Sequence, residues 1–268
     1  MDNLILAAIL SMAGLSVAFA AVLAFADKKL RVEEDPRIAE VLKHLPHVNC
    51  GACGYLNCHD FAEHVIKEGE DPAKCKPLGE EAQQMLYDYL GKEGKEKFPR
   101  IALVHCAAEY EHKKTDTVYT GVKTCIAANA AFGGGMECEY GCMGFGDCVE
   151  VCPFGAMHME KGLPRVDAEK CTGCGKCAEA CPRGIISIQQ KKYDDLYYVA
   201  CSSHDDMMRV RKICSVGCIA CGICEKLSPE KYFEVKDNLS YPNFEKQSDR
   251  EELEKIAPKC PTKVIKKA

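Results

Sequence analysis

Eight cysteines crowd the forty-five residues from Cys138 to Pro182, and their spacing suits metal ligands better than disulfide bridges. The second half, Cys171-x2-Cys174-x2-Cys177-x3-Cys181-Pro182, reproduces without a gap the run C-x2-C-x2-C-x3-C-P, in which three thiolates bind one [4Fe–4S] cube and the fourth binds its neighbour. The first half, Cys138-x3-Cys142-x5-Cys148-x3-Cys152-Pro153, is a stretched version of the same run. A two-cluster ferredoxin domain is expected, with Cys138, Cys142, Cys148 and Cys181 on one cube and Cys152, Cys171, Cys174 and Cys177 on the other. The stretched spacing leaves open a trade of one of Cys138, Cys142 or Cys148 with Cys106 or Cys125. Cubes held wholly by cysteine are electron carriers, whose potential the protein tunes through hydrogen bonds, burial and charge.

Two further groups follow the same chemistry. Cys50-x2-Cys53-x4-Cys58, with Cys75 after Asp71-Pro72, supplies four thiolates for one closed site, and zinc on these four is the competing reading. Cys218-x2-Cys221-x2-Cys224-x3-Ser228-Pro229 repeats the ferredoxin run with serine in place of its fourth cysteine, and no cysteine triple precedes the final Cys260-Pro261. That predicts a degenerate ferredoxin-like domain with one cube on Cys218, Cys221, Cys224 and Cys260. The repeat reaches upstream, where VHC ending at Cys106 parallels YVAC ending at Cys201, and Cys138-x3-Cys142 parallels Cys214-x3-Cys218. Four clusters are expected. Cys106, Cys125, Cys201 and Cys214 then remain, and since the chain has 20 cysteines, a fifth cluster and buried free thiols are both open readings for them.

Composition narrows the field. Disulfide-dense domains are usually small and secreted, and zinc favours two separated C-x2-C pairs, so neither accounts for triple C-x2-C-x2-C runs closed by Cys-Pro. A net charge of −5 offers no global basic field to hold nucleic acid. The sequence shows no Ser–His–Asp set, P-loop or dinucleotide fingerprint, so no catalytic site is expected in it. Gly133 to Gly135 read as a turn that delivers Cys138, and the eight scattered histidines as surface or packing residues.

The elements that must position these cysteines come in a simple order. Leu4 to Ala26 hold no charge in 23 positions and as a helix would reach about 34 Å, enough to span a bilayer. Lys28, Lys29 and Arg31 follow, which by the positive-inside rule sets the rest of the chain in the reducing cytoplasm. A charged linker is expected from Val32 to Ala39, then a helix opening at Asn57-Cys58, carrying Phe61, Ala62, Val65 and Ile66 on one stripe and stopping at Gly69. Leu78 to Phe98 read as an amphipathic helix with Met85, Leu86, Tyr89 and Leu90 in the core, ending in a linker and a domain boundary at GKEGKEKFPR. Ile101 to Val104 read as a buried strand. Short strands should follow each Cys-Pro, at Ala156–Met159, Ile185–Ile188 and Val264–Ile265.

The order of motifs, a membrane helix, then NCGACGYLNCHDFAEHVIKEGEDPAKC, then VHC…GGGMECEYGCMGFGDCVEVCPFGAM and CTGCGKCAEACPRGI, resembles the B subunits of the Rnf complex, the membrane-bound ferredoxin:NAD+ oxidoreductase. The likeness covers essentially the whole chain, although CGACGYLNC alone also resembles an element of corrinoid and carbon monoxide dehydrogenase-associated iron–sulfur proteins. The resemblance implies an electron-entry subunit of an ion-pumping translocase. It would take electrons from reduced ferredoxin and pass them to membrane subunits, while a separate flavin-bearing subunit reduces NAD+. Sodium ions or protons would be moved, and the chain would sit at the cytoplasmic (inner) membrane by a single span, with its soluble domains inside. Other readings are an iron–sulfur relay of another membrane oxidoreductase and a zinc-binding interaction protein. The expected fold is α+β: an anchor (1–27), a small mainly α iron–sulfur domain (28–98), a two-cluster ferredoxin-like domain (99–192) and a degenerate one (193–268).

Overall fold

A computed structural model describes residues 2–30, 34–94, 98–191, 196–246 and 250–268. Helix α1 (Asp2–Leu30) carries apolar side chains on every side. Those of Leu6, Met12, Phe19 and Phe25 are 59–72% exposed. A helix apolar all round has no water-facing side, so it calls for a lipid or protein surround. Its stretch Ile9–Lys29 is 21 residues long and apolar enough to cross a bilayer. By length and composition it is a candidate membrane-crossing helix.

The linker expected from Val32 to Ala39 is partly helix: α2 (Pro36–His44) starts inside it. Asp35 caps it by accepting the Arg37 amide at 2.9 Å, and Pro36 takes the first helical position, where its missing N–H costs nothing. Arg31, Val32 and Glu33 lie outside the described residues. Helix α3 (Cys58–Lys67) opens under the Asn57 side chain, which accepts the Asp60 amide at 2.8 Å. It stops before Gly69, whose φ of 73° suits a residue without a Cβ. Helix α4 (Glu80–Leu90) presents a different stripe from the one expected. Gln83, Leu86 and Tyr87 are buried with Leu90 beside them, whereas Met85 and Tyr89 are 54% and 45% exposed. The stripe rotates because the Tyr87 hydroxyl donates to Asp71, which turns that face inward. Ile38, Val41, Phe61, Val65 and Leu86 close this core around Cys75. The boundary expected at GKEGKEKFPR includes residues 95–97, which lie outside the described residues.

One strand pattern then occurs twice. Strand β1 (Arg100–Val104) is followed by helices α5 (Cys125–Ala130) and α6 (Asp147–Glu150), the hairpin β2 (Met157–Glu160) and β3 (Leu163–Val166), helix α7 (Lys176–Glu179) and strand β4 (Ile186–Gln190). The outer strands pair antiparallel, Arg100 opposite Gln190 through Val104 opposite Ile186, and enclose the inner hairpin. The second round has β5 (Tyr197–Val199), helices α8 (Met207–Ile213) and α9 (Ile223–Leu227), hairpin β6 (Phe233–Lys236) and β7 (Leu239–Pro242), helix α10 (Arg250–Ile256) and β8 (Ile265–Lys267). Again the outer strands pair, Tyr197 opposite Lys267 through Val199 opposite Ile265. A strand follows each Cys-Pro pair, because proline ends the preceding helical turn and the residues after it are β-branched or long apolar.

Strand β1 is buried on both faces, with a different neighbour on each. Ala102 and Val104 pack among Cys142, Cys148 and Cys177, while Ile101 and Leu103 pack on Leu196 toward the second round. His105, just past its end, joins the two rounds. Its Nδ1 donates to the Val199 carbonyl at 2.9 Å, its Nε2 accepts from the Ser187 hydroxyl at 2.7 Å, and its carbonyl accepts from Ser202 at 3.0 Å. Burial lowers its pKa, so the neutral ring that this pattern requires is the favoured form.

Candidate metal centres

All 20 cysteines are free thiols, buried or half-buried. In the N-terminal unit the turn Cys50–Cys58 is shaped by Gly51 and Gly54, at φ 68° and 90°, and by Asn49, whose Oδ1 accepts the Cys58 amide at 2.8 Å. Asp71 caps the short turn Pro72–Lys74 that brings Cys75 into the core, where Cys53 and Cys58 pack against it.

Four cavities in the rest of the chain are each lined by four cysteines. Cys152, Cys171, Cys174 and Cys177 line one. Cys218, Cys221, Cys224 and Cys260 surround another. The third is lined by Cys125, Cys142, Cys148 and Cys181. Here the structure departs from the expected grouping. Cys125 joins Cys142, Cys148 and Cys181, and Cys138 faces the fourth cavity with Cys106, Cys201 and Cys214.

The repeat supplies a physical reason. Cys142, Phe145 and Cys148 have the C-x2-C-x2-C spacing of Cys218, Cys221 and Cys224, with phenylalanine in the middle place. The missing thiol comes from α5, whose first turn is held by Asp147 of α6: its carboxylate accepts the amides of Cys125 at 2.8 Å and Ile126 at 3.2 Å. Reading the run from Cys142 rather than Cys138 would have revealed the gap at Phe145. Asp147 offered no comparable signal, since it acts on a helix 22 residues away.

Arg183, half-buried after Cys181-Pro182, fixes the loop that carries Cys138. It donates to the carbonyls of Cys138 at 2.8 Å, Gly141 at 2.6 Å and Gly133 at 3.0 Å. Ser228 does not line the cavity of the second round. Its hydroxyl donates to the Glu225 carbonyl at 3.3 Å and accepts the Phe233 amide at 3.2 Å.

Burial pushes the thiols of Cys142, Cys148, Cys177 and Cys201 up to about 12, with neighbouring cysteines adding to the rise. Four buried thiolates can gather only around compensating positive charge, which is what metal supplies. Among the described residues, no three His, Cys, Asp or Glu side chains converge tightly enough for a single ion. Tetrahedral zinc, at about 2.3 Å from each sulfur, needs that convergence. Sulfurs spread around the wall of a cavity fit a cube of four irons better.

Buried thiols grouped in fours around cavities, with amides turned toward the sulfurs, define an iron–sulfur electron carrier. Comparison with known proteins agrees: residues 45–77 match a family described as a putative Fe-S cluster, and residues 164–187 match the 4Fe-4S binding domain. The chain is 36% identical over 266 residues to the B subunit of the proton-translocating ferredoxin:NAD(+) oxidoreductase complex of Clostridium ljungdahlii, covering 98% of this chain and 93% of the relative. It is 34% identical over 247 residues to the B subunit of the ion-translocating oxidoreductase complex of Methanosarcina acetivorans, covering 92% and 93%. The B subunit of the Na(+)-translocating ferredoxin:NAD(+) oxidoreductase complex of Acetobacterium woodii matches at 34% over 73% of this chain and 59% of its own length. The chain belongs to the B-subunit family of these ion-translocating (Rnf) oxidoreductase complexes. An iron–sulfur electron-transfer role in such a complex goes with that membership.

Proposed function

We propose that this chain takes electrons from reduced ferredoxin and passes them to the membrane and flavin-bearing subunits of an ion-pumping ferredoxin:NAD+ oxidoreductase, with no catalytic site of its own. In this reading Leu4 to Ala26 cross the membrane once and the cysteine-bearing units lie on the cytoplasmic side. Residues 28–98 form one cluster domain, 99–192 a two-cluster ferredoxin-like domain and 193–268 its degenerate copy. Four [4Fe–4S] cubes would be held by Cys50, Cys53, Cys58 and Cys75; by Cys152, Cys171, Cys174 and Cys177; by Cys125, Cys142, Cys148 and Cys181; and by Cys218, Cys221, Cys224 and Cys260. When bound, each cube stores and releases single electrons.

The observation that carries the reading is the succession of thiol groups. Gly51, beside Cys50, lies so near Lys176, beside Cys177, that a Cβ on it would stand 3.7 Å from the lysine Nζ, and Cys148 and Cys177 share one core. That adjacency links the N-terminal group, next to the membrane helix, to both groups of the first ferredoxin-like half. The protein's own part is to keep the sulfurs buried, turn amides toward them and hold water away, which fixes potentials without moving a proton.

The test is anaerobic purification of the full chain. Iron and sulfide at four per cube, a broad visible absorption and its bleaching by reduced ferredoxin are expected. Stoichiometric zinc without iron would sink the proposal.

A further inference from the structure

Cys106, Cys138, Cys201 and Cys214 line one cavity at the seam between the two ferredoxin-like halves, two from each. We propose that these four cysteines hold a fifth [4Fe–4S] cube shared by the two halves.

The two halves present their cysteines to this cavity in the same way. Cys138-Glu139-Tyr140-Gly141-Cys142 in the first is matched by Cys214-Ser215-Val216-Gly217-Cys218 in the second. In both loops the amides of the second and third residues onward face the sulfur, Tyr140 and Gly141 toward Cys138 and Val216 and Gly217 toward Cys214. Both loops fold back onto their own cysteine, and at 217 the neighbouring helix leaves no room for a Cβ. A Cβ on Gly141 would stand 3.4 Å from the Cys138 sulfur, and one on Gly217 would stand 2.5 Å from Val210 Cγ1 and 3.7 Å from the Cys214 sulfur. Cys106 and Cys201 complete the set from the ends of β1 and β5, with His105 and Ser202 tying those two ends together. Four free thiols would leave these amides donating to weak acceptors. Thiolates on a positively charged cube accept them strongly.

The same amides connect the shared group to its neighbours. The Cys142 amide donates to the Cys106 sulfur at 3.4 Å, and Cys142 belongs to the first half's group with Cys125, Cys148 and Cys181. The Cys218 amide faces the Cys201 sulfur, and Cys218 belongs to the second half's group with Cys221, Cys224 and Cys260. The shared group therefore adjoins a ligand of the next group on each side. It turns the separate second-half group into the far end of a single line that begins at Cys50. The site itself stands on geometry alone, and only its place in a line of electron carriers rests on the proposed function.

The experiment uses the full chain purified without oxygen, alongside the pair variants Cys201→Ala/Cys214→Ala and Cys106→Ala/Cys138→Ala. The wild type should carry about twenty irons, and each pair variant about sixteen, with one spin system missing from the reduced-state spectrum and four retained. A second measurement needs no substitution: iodoacetamide should leave all four cysteines unmodified in the iron-loaded chain and label them together once a chelator has stripped the iron. A wild type with about sixteen irons whose Cys106, Cys138, Cys201 and Cys214 label while it is loaded would overturn the proposal, as would wild-type iron content in both pair variants. A chain with twenty irons that reduced ferredoxin fails to bleach would refute the electron donor and leave the shared site standing.

Discussion

The two halves, β1 to β4 and β5 to β8, share one strand plan and differ in what fills it. Besides the cavity that they share at the seam, the span from β1 to β4 lines two cavities with four cysteines each and the span from β5 to β8 lines one. The register from Cys181 back through α7 and from Cys260 back through α10 sets Ile256 opposite Cys177 and Leu253 opposite Cys174. Both are 3% exposed and pack with Tyr232 and Phe233, whose own side chain is fully buried. Ser228, opposite Cys152, has become a backbone anchor. In the second half apolar side chains occupy the places that cysteines take in the first, and the outer strands pair in the same way. Burying such side chains stabilises a fold by about 1.5–3 kcal/mol each, so this half of the frame has an apolar core of its own to hold it.

The largest expected effect compares the two equivalent positions. Cys177→Ala should empty a site and remove about four irons, whereas Ile256→Ala should remove none and destabilise the second half by about 2–5 kcal/mol, read from anaerobic denaturant unfolding. Iron lost from the Ile256 variant would break the comparison. Next comes the traded ligand. Cys125→Ala should also lose about four irons, and adding Phe145→Cys, which recreates the second half's spacing, should restore them. No recovery in that double variant would mean that the cavity needs the helix as well as the sulfur.

Arg183 has no counterpart in the second half, where Thr262-Lys263 follow the Cys-Pro pair. Arg183→Met should destabilise the first half by about 2–3 kcal/mol, through hydrogen bonds from a charged donor to the loop bearing Cys138, and raise proteolysis within residues 133–141. Unchanged cleavage there would remove Arg183 from its role. The smallest effect is Ser228→Cys. It should leave iron content unchanged, because the places opposite Cys174 and Cys177 stay apolar, and cost about 1 kcal/mol for the lost Phe233 hydrogen bond. A gain of four irons would show that the second site is latent rather than filled.

Local spacing made much of this molecule legible. The Cys171–Pro182 run, the Asn57 cap before Cys58 and the strand after each Cys-Pro depend on residues within one turn of each other, so reading the chain in order was enough. Helix α4 was legible only as a helix. Which stripe it buried depended on Asp71, sixteen residues upstream, accepting from the Tyr87 hydroxyl. The linker expected from Val32 to Ala39 gives way at Pro36, which behind Asp35 starts a helix.

By itself the sequence determined the chemistry, because thiolates in fours at these spacings suit iron and little else, and it determined the apolar length of α1. Only the tertiary structure decided which sulfurs share a cavity. Cys125 and Cys138 exchange places because Asp147 seats one helix and Arg183 holds one loop. Cys106 meets Cys201 across 95 residues because the paired halves bring two strand ends together. A ligand set closed over such a distance leaves no period in the chain to read.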